Sequence, residues 1–178
     1  LTGDITAYAK IDIDTGAGAD VVTVNGTMTA TTDMIDIDSG AGVDEITGTR
    51  TMTTDAAAID INTGSDSDQF TVKGLIKAQT NVTLDTAAGS DIVTLGELVG
   101  GIAQGGIETV AGTVKLDLGE TTDSASDNDQ FTLTGDITAY AKIDIDTGAG
   151  ADVVTVNGTM TATTDMIDID SGAGVDEI

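Results

Sequence analysis

Residues 14–38 read DTGAGADVVTVNGTMTATTDMIDID, and residues 38–62 read DSGAGVDEITGTRTMTTDAAAIDIN. Laid one over the other, the two stretches agree in phase. In the first, Val22 and Val24 alternate with Val21 and Thr23. Asn25-Gly26 marks a turn, Met28 and Ala30 alternate with Thr, and Thr32-Asp33 breaks the run. Ile35 and Ile37 then alternate with Asp36 and Asp38. Alternation at period two argues strands, and frequent Gly, Asn and Asp argue the turns between them. The second stretch repeats the phase with Ile46, Met52, Ile59 and Ile61. The next continues it with Phe70, Val72, Ile76, Ala78, Val82 and Leu84.

The Asp that closes each Gly-rich turn recurs at Asp20, Asp44, Asp68, Asp91, Asp129, Asp152 and Asp176, at spacings of 24, 24, 23, 38, 23 and 24 residues. A period in this range signals a solenoid, propeller or array. The fold class predicted here is all-β: a parallel β-solenoid with coils of 23–24 residues, in which each side chain lies over its counterpart about 4.8 Å away. The reading requires Val22, Ile46, Phe70 and Val93 to pile up in one column. A string of β-sandwich domains is the rival architecture, but sandwich strands have no reason to repeat in phase every 24 residues.

A larger repeat encloses the small one. Residues 1–46 return letter for letter as 133–178, a period of 132 residues. Residues 1–132 are then one tandem unit of five coils, and 133–178 begin the next. The whole of 1–178 is read as one continuous solenoid segment, a window from a longer array. One coil, spanning 96–126, is enlarged by about 14 residues and is expected to carry an extra turn, a short helix or a bulging loop.

Composition restricts the function. The chain carries 31 Asp and Glu against 6 Lys and Arg, a formal charge of −25. Nucleic acid and anionic membranes are therefore not expected partners, and no apolar run approaches the ~20 residues a membrane helix needs. A hydrophobic content of 39% is too high for an acidic disordered tail. Aromatics make up 2%, so the core must be aliphatic, and Cys, Pro, His and Trp are absent. Without His or Cys the commonest catalytic base and nucleophile are missing. The Asp pairs are periodic, whereas a catalytic site is singular. No phosphate-binding loop is present, and Gly100-Gly101 and Gly105-Gly106 read as loop. The chain is expected not to be an enzyme.

The turns carry the most specific chemistry. Gly16-Ala17-Gly18-Ala19-Asp20-Val21-Val22 and Gly40 to Ile46 resemble the RTX, or hemolysin-type, calcium-binding nonapeptide, GGxGxDxUx with U a large apolar residue. The likeness occurs once per coil and lacks the leading Gly, which is Thr15 or Ser39; Asp66 and Asp127 replace Gly in two turns. It is closest to the turns of very large tandem-repeat bacterial surface proteins. The resemblance implies Ca²⁺ between successive coils, with Asp20, Asp44, Asp91, Asp152 and Asp176 as carboxylate ligands and Asp68 and Asp129 as equivalents. The surrounding turn residues of the implied metal edge are Asp14, Gly16, Gly18, Asp38, Gly40, Gly42, Asp66, Asp85, Gly89, Asp127, Asp146 and Asp170, with Asp123 opening one further turn.

A separate physical argument points to cations. In a parallel stack, Asp14, Asp38, Asp85, Asp146 and Asp170 form one file, and Asp12, Asp36, Asp60, Asp144 and Asp168 another. The Asp20 series forms a third, expected on an outer corner. Two like charges 4.8 Å apart repel by ~0.9 kcal/mol in water and ~3.5 kcal/mol at an effective dielectric of about 20. Hard carboxylate and carbonyl oxygens suit Ca²⁺. Against this stands the plainer reading that Gly, Asp and Asn are ordinary turn formers facing water, which is favoured for the Asp12 file.

Thr27–Thr32 and Thr49–Thr54 suggest Thr ladders on a solvent face, and Tyr8 and Tyr140 are expected to point outward. The sequence as a whole reads as a secreted or cell-surface bacterial filament or stalk. Its expected partners are further copies of itself, along the array or laterally. An adhesin stalk whose cell-surface or matrix ligand binds outside the window is the alternative; a carbohydrate-active β-helix is the enzyme-class rival.

Overall fold

The computed structural model describes residues 1–119 and 127–178. Every regular element among them is a β-strand; no helix is present, hence none long and apolar enough to cross a membrane. The chain winds around three parallel sheets in strict rotation. The first face holds Ile5–Ala7, Met28–Ala30, Met52–Thr54, Leu75–Ala78, Gly106–Thr109, Asp136–Ala139 and Met160–Ala162. The second holds Ile11–Asp14, Ile35–Asp38, Ile59–Asn62, Val82–Asp85, Val114–Asp117, Ile143–Asp146 and Ile167–Asp170. The third holds Val21–Val24, Glu45–Gly48, Gln69–Val72, Ile92–Leu95, Gln130–Leu133 and Val153–Val156.

Register makes the stack continuous. Val22 pairs with Ile46, Ile46 with Phe70, Phe70 with Val93, Val93 with Phe131 and Phe131 with Val154. The column required of the solenoid therefore exists, and the sandwich alternative does not describe this chain. On the second face Ile11, Ile35, Ile59, Val82, Val114, Ile143 and Ile167 form an equivalent column. Branched aliphatic residues suit this geometry because each packs on a near copy of itself one rung away. Burial follows the alternation: the strands of the inner coils are buried at every second residue, and one apolar cluster runs the length of the stack.

The enlarged coil keeps all three strands of the pattern. From Val93 to Ile107 is fourteen residues, where Phe70 to Ile76 is six. The difference is a two-stranded antiparallel hairpin, Glu97–Val99 with Ile102–Gln104, at the corner between the third and first faces. Gly100 and Gly101 form its turn with φ of +61° and +82°. Positive φ at both central residues is the type I′ requirement, and Gly-Gly meets it without steric cost. Among the described residues this part of the enlargement is a hairpin, not a helix. A further six residues lie between Val114 and Phe131 relative to the coil before, in a stretch whose positions 120–126, Asp123 among them, fall outside the described residues.

Candidate metal corner

Each Gly-Asp turn joins the second face to the third. In three of them a member of the Asp14 series fixes the first residues. Asp85, Asp146 and Asp170 each accept, through Oδ1, the N–H two residues on, from Ala87, Gly148 and Gly172 at 2.9–3.0 Å. These are the short side-chain turns for which Asp is suited. The glycines then have a stacking reason. Gly40 adopts φ +91°, and a Cβ there would sit 1.8 Å from the carbonyl oxygen of Gly16 in the neighbouring coil. Gly42 stands in the same relation to Gly18, at 2.0 Å. The Gly-x-Gly spacing that carries the family resemblance is therefore also demanded by close coil-on-coil contact. The turns at 62–68 and 85–91 each keep one glycine. Gly64 is followed by Asp66 at φ +83°, and Ala87 at φ +55° is followed by Gly89.

The closing Asp of each turn lies inside the stack. Asp44, Asp68, Asp91, Asp129 and Asp152 are all buried, where an outer corner was expected. The reason is parity: Asp20 shares the alternation of Val22 and Val24 and so points inward with them. These carboxylates make a ladder of their own. Oδ1 of Asp44 accepts the main-chain N–H of Asp20, Asp68 that of Asp44, and Asp91 that of Asp68, each at 2.7 Å. The series continues through Asp129, Asp152 and Asp176, whose Oδ1 atoms accept from Asp91, Asp129 and Asp152 at 2.7, 2.8 and 3.2 Å. Each bond closes a backbone donor that the corner would otherwise leave buried and unpaired.

The second oxygen is less well served. Oδ2 of Asp152 accepts from the Thr147 hydroxyl, and Oδ2 of Asp176 from Ser171, both at 3.0 Å. In other coils the equivalent hydroxyls turn instead to the next coil's carbonyl, Thr15 to Ser39, Ser39 to Thr63 and Thr86 to Leu118. Oδ2 of Asp20, Asp44, Asp68 and Asp91 is buried without a hydrogen bond. Thr63 Oγ1 stands beside Asp68 and also closes none; rotation of that hydroxyl joins the two.

Burial accordingly pushes these carboxyls up: Asp68 to about 6, Asp91 to about 7 and Asp129 to about 8. The ladder N–H opposes the shift in all three, and a threonine hydroxyl opposes it further at Asp68 and Asp91. The position equivalent to Thr63 and Thr86 in the coil of Asp129 is Leu118, which has no hydroxyl to give. Neighbouring charges in the file raise each value as well.

Asp66 and Asp127 are separated from this file. They line the outside of the corner, in an open groove of about 470 Å³ with Val43, Ser65, Ser67, Ala88 and Gly89. The Asp12 and Asp14 files run along the accessible side of the second face. Sequence reading missed Asp117, which falls in register between Asp85 and Asp146. Asn62 interrupts the same file, pairing with Asp38 and Asp85. Lysines relieve the Asp12 file: Lys10 spans Asp12 and Asp36 at 3.2 and 2.8 Å, and Lys142 spans Asp144 and Asp168 at 3.0 Å each. Hydrogen bonds to these aspartates hold both ammonium groups above the usual lysine range.

As a cation site the corner offers hard oxygen donors and carboxylate oxygens free to accept. Among the described residues no three acidic side chains converge on a single point. A cation there would take one Oδ2 per coil and complete its shell from turn carbonyls or water. No protein-family model, curated protein or solved structure matches this chain.

Proposed function

We propose that the chain is a segment of an extracellular structural filament or cell-surface stalk, with a mechanical and non-catalytic role. One observation carries the reading. Residues 132 apart occupy the same place in the stack: Ile5 and Ile137 on the first face, Ile11 and Ile143 on the second, Val22 and Val154 on the third. The path from Ile11 to Ile143 takes five whole steps, so one sequence unit adds five coils and returns the chain to its starting orientation. Tandem units then extend one shaft by roughly 24 Å each at constant cross-section.

The cation belongs to the same proposal. Ca²⁺ at the Gly-Asp corner neutralises a buried carboxylate file that has too few cationic side chains near it, and so locks coil to coil. The buried Oδ2 atoms of Asp20 and Asp44, which close no hydrogen bond, support this reading. Bacterial surface attachment is the setting in which a stiff, acidic, cysteine-free shaft is useful.

Proteins of one, two and four tandem units test the filament. Small-angle scattering and electron microscopy are expected to show length growing by about 24 Å per unit with an unchanged radius. Compact particles, or a radius that grows with unit number, would overturn it. Ca²⁺ is expected to raise Tm at pH 8 and EDTA to reverse the gain. Equal melting in both rejects the cation and leaves the shaft.

A further inference from the structure

The three faces are chemically unequal. Outward positions on the second face are Asp at every rung except Asn62, Thr83 and Lys115. On the third face the outward positions are an unbroken file, Thr23, Thr47, Thr71, Thr94, Thr132 and Thr155, beside Val21, Glu45, Gln69, Ile92, Gln130 and Val153. Glu45, and Glu177 bridged to Val153 at the last rung, are the charged side chains of this file. The densest files of negative charge therefore lie on the second face; beside the hairpin stand Glu97, bridged to Lys73 at 3.7 Å, and Asp136.

The hairpin rises from the border of this sparsely charged face, immediately after Ile92–Leu95. Residues 98–107, LVGGIAQGGI, contain no charge in a chain that is 21% charged. Val99 pairs with Ile102 and Leu98 with Ala103, so the two faces of the hairpin each present an apolar pair. Leu98, Val99 and Ile102 are 63%, 46% and 68% exposed. A two-stranded sheet on its own is marginal in water, and its outer edges leave main-chain donors and acceptors open. An apolar, uncovered hairpin on an acidic shaft calls for cover.

We propose that this flank is a lateral contact surface whose occupant is a second copy of the chain, hairpin meeting hairpin beside the third face. The charge distribution selects that occupant. Two shafts of net charge −25 repel on every approach that brings their second faces together. Contact through the sparsely charged flank turns both Asp-rich faces outward and matches apolar tip to apolar tip. The inference rests on the filament reading, because in a tandem array the hairpin recurs once per unit. A single weak contact then becomes a row with high effective concentration.

Sedimentation velocity on the 178-residue chain and on a four-unit tandem, over a range of concentrations and salt, tests it. Self-association is expected in both, stronger in the tandem and strengthened by salt, which screens shaft repulsion while sparing the apolar contact. Leu98→Asp with Ile102→Asp should weaken association at least tenfold with melting and circular dichroism unchanged. Leu98→Ser with Ile102→Ser serves if the charged pair disturbs folding. Monomers throughout, or association indifferent to these substitutions, overturn the proposal. Hairpin-dependent flotation with phosphatidylcholine vesicles in place of self-association would assign the flank to a lipid surface and overturn it too. Single unbundled rods of the expected length would leave the filament standing without the contact.

Discussion

Residues 1–46 and 133–178 are the same sequence in two surroundings. Ile35 is fully buried while its twin Ile167 is 40% exposed, and Ile137 is fully buried while Ile5 is only half-buried. The Thr15 hydroxyl donates to the Ser39 carbonyl of the next coil, whereas Thr147 donates to Asp152 Oδ2 in its own. What does not change is strand position, register and the bridge from Lys10 or Lys142 to two stacked aspartates. Local sequence therefore fixes where a residue sits on the triangle, and the neighbouring coil decides how much its side chain is worth.

The sharpest way to break that equivalence is with glycine. A Cβ at Gly135 would lie 2.5 Å from the Gly105 carbonyl oxygen, while one at Gly3 meets nothing within 4 Å. Gly135→Ala is expected to cost more than ~2 kcal/mol through backbone overpacking, and Gly3→Ala less than ~0.5 kcal/mol. Urea denaturation of the two variants checks this, and equal losses would refute it.

The acid ladder gives the next contrast. Asp152→Ala removes the acceptor of both the Asp129 N–H and the Thr147 hydroxyl, so a loss of about 1–3 kcal/mol is expected. Asp20 carries an orphaned Oδ2 instead, and Asp20→Ala should be close to neutral. Thermal melting of the pair decides between them.

Titration sharpens the same point. Asp68, Asp91 and Asp129 hold protons up to about 6, 7 and 8 in the folded chain, against 3.8 for the ordinary carboxyl. Between about pH 4 and pH 8 the unfolded chain has released protons that the native state retains, so metal-free stability falls as pH rises through this window. Asp91→Asn keeps an oxygen for the Asp68 N–H and loses the charge; its Tm at pH 8 should rise and its pH slope flatten. A Tm that climbs from pH 4 to pH 8 without added metal would contradict the buried file.

The smallest effect concerns the two hydroxyls. Thr147→Val should cost about 1 kcal/mol by leaving Asp152 Oδ2 unpaired, and exposed Thr15→Val within ~0.5 kcal/mol. Indistinguishable melting curves would show that the hydroxyl's choice of acceptor has no energetic consequence.

Much of this was legible because a solenoid writes its contacts into its period. Val22, Ile46 and Phe70 can be stacked on paper from their spacing alone. The inward turn of Asp20 was equally available, since it shares parity with Val22 and Val24, but a Gly-rich context drew attention to turn chemistry. The Thr23 file was overlooked because the runs at Thr27 and Thr49 are denser in threonine. On the first face Thr6 does join Thr29 and Thr53 in register, one rung more than those runs suggested, before Lys77 ends the row. The hairpin announced itself in Val99-Gly100-Gly101-Ile102, yet it interrupts the coil just where the phase is lost, so the glycines read as loop. Tyr8 and Tyr140 do point outward. Which oxygen of each buried carboxyl is served has no linear signature; it depends on a hydroxyl rotor and on the coil above.

The whole-number fit between sequence unit and winding has a consequence for inheritance. Two in-register copies that recombine yield a shaft longer or shorter by complete units, with every column still meeting its continuation and no new junction to repair. The filament proposed above would then change its length by whole units without a folding penalty.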